Sequence, residues 1–314
     1  MKVVILGKGS MLINLIKGAQ DAGCEITGVL RYERVVLNPF KLFLHDFFKT
    51  NPDVTFIKKF KIPEIKVKSA NCKKFRDFLI KNTTDVLLVG TWREKISKQT
   101  FDIPKLASIN LHPALLPKYR GANPYYNAIK NLETKSGLTL HLIDEKFDHG
   151  AILSQKEIEI LPNDTGKELK NKITFEARFE IANILQNIEY GTLIPVPQNE
   201  DNATYCENIT RDDLMLDFEN STAEEIHAKI RALHPWGPSY VTVGRNFLIP
   251  NPYKLKIVEL KHFYPAGKII GKCAKNSSLT IVCANKKALK MDGLKLYGFF
   301  NRPFTKLFIN FIKT

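Results

Sequence analysis

The sequence predicts an α/β fold: a Rossmann-like, mostly parallel sheet clothed in helices, followed by a small β-barrel as a second domain. Three observations carry that expectation. Over the first two hundred residues, short apolar runs alternate with amphipathic stretches. Beyond residue 204, strand-like runs follow one another with turns between them. Between the two regimes lies "YGTLIPVPQNEDNAT" (190–204), whose two prolines, glycine and polar cluster read as an interdomain linker. Strands alternating with helices build a sheet buried on both faces, whereas serial strands close on one another. The expected division is 1–190 for the α/β domain, 191–203 for the linker and 204–314 for the barrel.

The elements follow in order. "KVVILG" (2–7) is a strand with almost no polar interruption, and "MLINLIKGAQDAG" (11–23) spaces its apolar residues as a helix and stops at Gly23. "EITGVL" (25–30), "DVLLVG" (85–90) and "LASINL" (106–111) are further strands, with the helix "ANCKKFRDFLIKNT" (70–83) before the second of them. "LTLHLID" (138–144) precedes a long helix over about 164–188, capped by Asp164 or Thr165. Past the linker, Thr222 and Glu225 form a capping box for a helix over 221–233. "YVTVG", "LKIVEL", "GKIIG", "LTIVCA" and "LKLYGF" supply the strands of the barrel.

Composition narrows the function. At 44% hydrophobic and 25% charged over 314 residues, the chain is globular. No apolar run approaches the roughly 18 residues that span a bilayer, and the first strand lacks the features of a signal peptide. Five scattered cysteines without a C-x-x-C pair predict neither a disulfide framework nor a structural zinc, so no metal is expected and a cytoplasmic location is. The net charge of +15 is unevenly placed: residues 245–314 hold 14 Lys and Arg against 2 Asp and Glu, the rest 33 against 30. A nearly neutral body with a basic last quarter suggests a polyanionic partner, nucleic acid first, with Lys286, Lys287 and Lys290 as a candidate cluster.

"GKGSML" (7–12) offers Gly7 and Gly9 of a dinucleotide-binding turn, but Leu12 stands where the third small residue belongs. Arg31 and Tyr32 occupy the end of the second strand, where an acidic residue would meet a ribose. No nicotinamide cofactor is expected, and a tight strand-to-helix turn accounts for the glycines.

The stretch "NLHPALLPKYRGANP" (110–124) carries the chemistry. Asn110 and His112, two apart on a strand end, point to one side, and Pro113 then takes the chain away. Both side chains are left at the carboxyl edge of the sheet, where open α/β folds bind ligands. Asp148, followed by Gly150, lies in a second loop just after the strand 138–144. An amide, an imidazole and a carboxylate together stabilise an oxyanion, move a proton and orient the group that moves it.

"N-x-H-P-x-L-L-P-x-Y-R-G", followed 38 residues after the Asn by "D-x-G", resembles the 10-formyltetrahydrofolate-dependent formyltransferases. The segment "ATYCENITRDDLMLDFENSTAEEIHAKIRALHPWGPSY" (203–240) is similar to the start of the C-terminal domain of the methionyl-tRNA formyltransferases, which leads into an oligonucleotide-binding-like barrel. The resemblance implies formyl transfer from 10-formyltetrahydrofolate to a primary amine, with Asn110, His112 and Asp148 as the catalytic set. His112 and the Asn110 amide would stabilise the oxygen of a tetrahedral intermediate, while Asp148 keeps His112 oriented and cationic. The folate would lie against Leu88, Gly90, Trp92, Leu115, Leu116, Pro117, Ile143, Asp144 and Glu145. The implied acceptor is the methionine of initiator methionyl-tRNA; a nucleotide-linked aminosugar is the alternative. Ala114 replaces the usual Ser, "GTWREK" (90–95) replaces the usual Y-G, and "RYERVVLNPFKLFLHDFF" (31–48) holds no Gly where tRNA enzymes carry a Gly/Arg/Lys-rich loop. That last departure, with the aromatics of "NPYYN" (123–127), favours the sugar.

Overall fold

The computed structural model describes residues 1–48, 52–298 and 301–312. Along the first part of the chain run β1 (Lys2–Gly7), α1 (Gly9–Asp21), β2 (Glu25–Arg31), α2 (Tyr32–Val36), α3 (Pro39–Phe47), α4 (Pro52–Lys59) and α5 (Lys73–Lys81). There follow β3 (Val86–Gly90), α6 (Lys98–Phe101), β4 (Ala107–His112), β5 (Arg120–Gly121), α7 (Pro124–Lys130), β6 (Lys135–Leu142), β7 (Ile152–Glu159) and α8 (Gly166–Glu189). After β8 (Tyr205–Cys206) and α9 (Ala223–Leu233) come β9 (Val241–Val243), β10 (Asn246–Ile249), β11 (Leu255–Glu259), β12 (Ile269–Cys273), β13 (Ser278–Val282), β14 (Lys287–Met291), β15 (Lys295–Leu296) and α10 (Asn301–Phe311).

The main sheet has the order β2-β1-β3-β4-β6-β7. Its first four strands are parallel, and their near-continuous apolar sequences fit burial on both faces. β6 then runs antiparallel to β4, with Asn110 opposite His141 and His112 opposite Thr139. The reversal has a local cause. Between β4 and β6 the chain forms only β5 and α7, and α7 belongs to the other compact unit, so no crossover helix returns the chain in parallel.

Two compact units result. The first comprises Met1–Gly121, Ser136–Ile158 and Asn171–Tyr205; the second takes Ala122–Lys135, Glu159–Lys170 and Cys206–Thr314. In the second, α7 packs on α9, and antiparallel strands form a four-stranded sheet (β11-β14-β13-β12) and a three-stranded one (β15-β10-β9). Leu216, Ile226, Leu248, Leu279, Leu289 and Ile309 share its apolar core. The capping box of α9 is present: the Glu225 amide donates to the Thr222 hydroxyl, and the Thr222 amide to the Glu225 carboxylate at 2.7 Å.

Candidate active site

β4 delivers Asn110 and His112 to the carboxyl edge of the sheet, and the loop after β6 returns Asp148 to meet them. The three side chains come together, half-buried or buried. Asn110 Nδ2 donates to Asp148 Oδ1 at 3.2 Å, and His112 Nδ1 lies 3.3 Å from the same oxygen. His112 Nε2 faces the Tyr119 carbonyl at 2.8 Å. Acceptors at both ring nitrogens suit an imidazole that carries a proton on each. The other carboxylate oxygen of Asp148 accepts the Gly121 amide at 2.8 Å. Burial alone would raise the Asp148 carboxyl. The charge of His112 and the hydrogen bonds the carboxylate receives outweigh it and hold the group well below the usual carboxylate range.

A fourth side chain belongs to the set and was not anticipated. His141, buried in β6, places Nε2 3.0 Å from Asn110 Nδ2 and 3.6 Å from Asp148 Oδ1. Its Nδ1 lies 2.7 Å from the Leu142 carbonyl, so a neutral ring protonated at Nδ1 accepts the Asn110 amide. The two N–H bonds of Asn110 are thus spent on His141 and Asp148, and serving a substrate requires releasing one of them. The available signal was a lone imidazole inside the apolar strand "LTLHLI"; the antiparallel register that aims it at Asn110 had none. Gln198 was missed as well: its Nε2 donates to the Asp148 carbonyl (3.0 Å) and the Gly150 carbonyl (2.9 Å).

The residues expected to hold folate lie on three segments around this set. Leu88 is buried within β3, and Gly90 ends that strand. Trp92 packs edge-to-face on Tyr32 at 5.2 Å, with its indole N–H buried and without an acceptor among the described residues. Leu116 is buried, its amide donating to Thr139 Oγ1 at 3.1 Å, while Leu115 and Pro117 are half-buried. The Ile143 amide donates to the Ser108 carbonyl, Glu145 is exposed, and Asp144 accepts from the Lys146 amide and faces His149 Nδ1 at 2.7 Å. The helix-start turn at Gly9 is filled from within, because its amide donates to the buried Asp53 at 2.7 Å.

The aromatics expected to stack on a sugar ring are already engaged: Tyr125 stacks on Trp236 at 5.7 Å, and Tyr126 is buried with its hydroxyl directed to Asp213. The lysine cluster is engaged in part. Lys287 pairs with Glu224 and Glu259, and Lys290 lies 3.8 Å from Asp292. Among the described residues, no group of three His, Cys, Asp or Glu is arranged to hold a metal ion, and no helix is long and apolar enough to cross a membrane.

Residues 1–183 match the family described as Formyl transferase, and residues 208–298 match its C-terminal domain. A methionyl-tRNA formyltransferase of Bacillus pumilus is 27% identical over 95% of this chain and 90% of its own length. One from Clostridioides difficile is 30% identical over 86% and 85%. One from Ehrlichia ruminantium is 37% identical, but over only 57% of this chain and 55% of the relative. Among solved structures, an N-formyltransferase from Helicobacter canadensis in complex with folinic acid and dTDP-3-aminofucose superposes with a TM-score of 0.65. It is 18% identical, covering 95% of this chain and all of that one, and so shares the fold. HypX from Aquifex aeolicus, in complex with tetrahydrofolic acid, gives 0.60 at 14% identity, over 95% of this chain and 45% of HypX.

Proposed function

We propose that this chain, which belongs to the formyl transferase family, moves the formyl group of 10-formyltetrahydrofolate to the amino group of methionine on initiator tRNA. The observation that carries the proposal is the buried set of Asn110, His112, His141 and Asp148 at the carboxyl end of β4. As the amine adds to the formyl carbon, negative charge grows on the formyl oxygen, and a donor aimed there lowers the barrier. His112 is that donor, exchanging the Tyr119 carbonyl for the substrate oxygen. Asp148 holds the ring in its orientation and balances its charge; the amides of Gly121 and Asn110 in turn hold Asp148. The incoming amine must shed a proton and the departing folate nitrogen must gain one. Water carries that proton, and the ionised Asp148, held too far down to keep a proton itself, orients the relay.

The segments 88–92, 115–117 and 143–145 form the folate pocket in this reading. They present mostly backbone groups and apolar side chains, and the unpaired Trp92 N–H suits a ligand bearing an acceptor. The folate compounds bound in the two solved relatives support a folate donor. Two features favour tRNA as acceptor. Lys256 and Lys290 stand directly opposite each other across β11 and β14, and Asp292, 3.8 Å from Lys290, balances only one of the two charges, which leaves the pair net positive for a phosphate. Relatives matched over most of the chain carry the name methionyl-tRNA formyltransferase. Free cysteines, with no disulfide among them, fit a cytoplasmic enzyme.

The test supplies purified protein with 10-formyltetrahydrofolate and either methionyl initiator tRNA or nucleotide-linked aminosugars. Formyl-methionine on the tRNA is the expected product. Formylation of the sugar alone replaces the acceptor, and no transfer to any amine overturns the assignment.

A further inference from the structure

The backbone that presents Asp148 is held in place from outside its own loop. Asp148 has φ +55°, in the left-handed region, where a non-glycine residue persists only if its surroundings over-determine it. Two residues on, a Cβ added to Gly150 would lie 1.9 Å from the Leu142 carbonyl oxygen, so the turn has no slack. The carbonyls of Asp148 and Gly150 both accept from the single nitrogen Nε2 of Gln198, at 3.0 and 2.9 Å. The orientation of that amide is settled at its other end, where Oε1 accepts from Arg120 Nε at 3.1 Å and Nη2 at 2.7 Å.

Arg120 is itself 1% exposed. Glu200 closes its guanidinium with contacts of 2.6 and 2.9 Å, and the Tyr205 hydroxyl with one of 3.1 Å. The backbone follows the same course. Ile152 and Val196 exchange both amide bonds, at 2.7 and 2.8 Å, and the Arg120 amide donates to the Thr204 carbonyl at 2.8 Å. A stretch whose composition reads as a tether is thus laced to both catalytic loops.

We propose that Gln198 is a positioning residue for Asp148, oriented by the buried Arg120, and that 196–205 is a working part of the catalytic unit. The proposal rests on the reading of Asp148 given under Proposed function. Without the amide, the two carbonyls flanking His149 lose their shared donor, and the Asp148 carboxylate drifts relative to His112. A misplacement of about 1 Å in such a constellation costs about 100-fold in rate.

Gln198→Ala and Gln198→Glu test this, with Asp148→Asn alongside, in the full-length protein with 10-formyltetrahydrofolate and methionyl initiator tRNA. The Glu variant keeps an acceptor for Arg120 and lacks both N–H donors, so it separates positioning from packing. Both Gln198 variants should lower kcat roughly 10- to 100-fold, with KM for the formyl donor changed by less than about twofold. In the ligand-free protein, the ring-nitrogen NMR signals of His112 should shift. A Gln198→Glu variant with wild-type kcat and unmoved His112 signals, beside an inactive Asp148→Asn, overturns the positioning role and leaves the catalytic reading intact. An active Asp148→Asn overturns the catalytic reading instead. Should both Gln198 variants fail to fold, Arg120→Met decides, since it keeps the length of the side chain but donates nothing to the Gln198 amide: a wild-type kcat there overturns the proposal.

Discussion

His112 is 4% exposed and has an acceptor at each ring nitrogen, so its protons are committed before substrate arrives. Changing it to Ala removes the donor, and changing Asp148 to Asn removes the charge that balances it. Each should lower kcat by about 10²- to 10⁴-fold. His112→Ala should also lower the thermal midpoint, because it leaves the buried Asp148 carboxylate without its balancing charge, so kcat is read where circular dichroism shows the variant folded. Near-normal turnover in either variant would sink the assignment. Gly150→Ala is a different case. Its Cβ has no room beside the Leu142 carbonyl, so the loop must move. Activity should fall with that loop even where circular dichroism shows the fold retained. Asn110, His112 and Asp148 were legible because residue type, strand parity and the proline that follows are local properties. His141 and Gln198 were not, because what makes them matter is a partner 31 and 50 residues away.

For whole elements, the same contrast has a physical form. β1 to β4 and α1 announce themselves by runs and periods that burial imposes. α2, α3 and α4 are not among the elements the sequence announces; α3, for one, turns Phe40, Phe43 and Phe47 outward, so its apolar residues do not mark a buried stripe. α10 was hidden by a basic, aromatic sequence read as the end of a barrel, although Ile309 is fully buried in the second core. In α9, His227 accepts Arg231 Nε at 3.1 Å; burial first, then the Arg231 charge, pushes the imidazole down to about 4. Its folded value therefore lies below its unfolded one, and the unfolded chain takes up the proton first. Stability should decline as pH falls from about 6.5 towards about 4, with no further loss from this group below that. Urea unfolding at several pH values reads the slope, and His227→Gln should flatten it. An identical slope in the variant would mean that other groups set it.

At the scale of the whole molecule, the charge is what remains to be assigned. Of the expected lysine cluster, Lys287 is neutralised by two glutamates and Lys290 faces Asp292 alone, at 3.8 Å, so the sharper probe is Lys290 together with Lys256 opposite it. Changing both to Gln should weaken tRNA binding and reduce the slope of log affinity against log salt by roughly one to two, since each lost phosphate contact is worth a little under one. Folate affinity should not change. An unaltered slope would leave these lysines as solvated surface. The interleaving of the two compact units carries a further consequence, for recombination. The second unit draws 122–135 and 159–170 from the middle of the chain, and α7, within the first of these, packs on α9. A chimaera spliced after residue 205 would therefore set a foreign tail against the host's own α7. To graft cleanly, the tail must bring both internal segments with it, and a library of single-crossover hybrids should yield soluble protein mainly where the parents agree at 122–135 and 159–170.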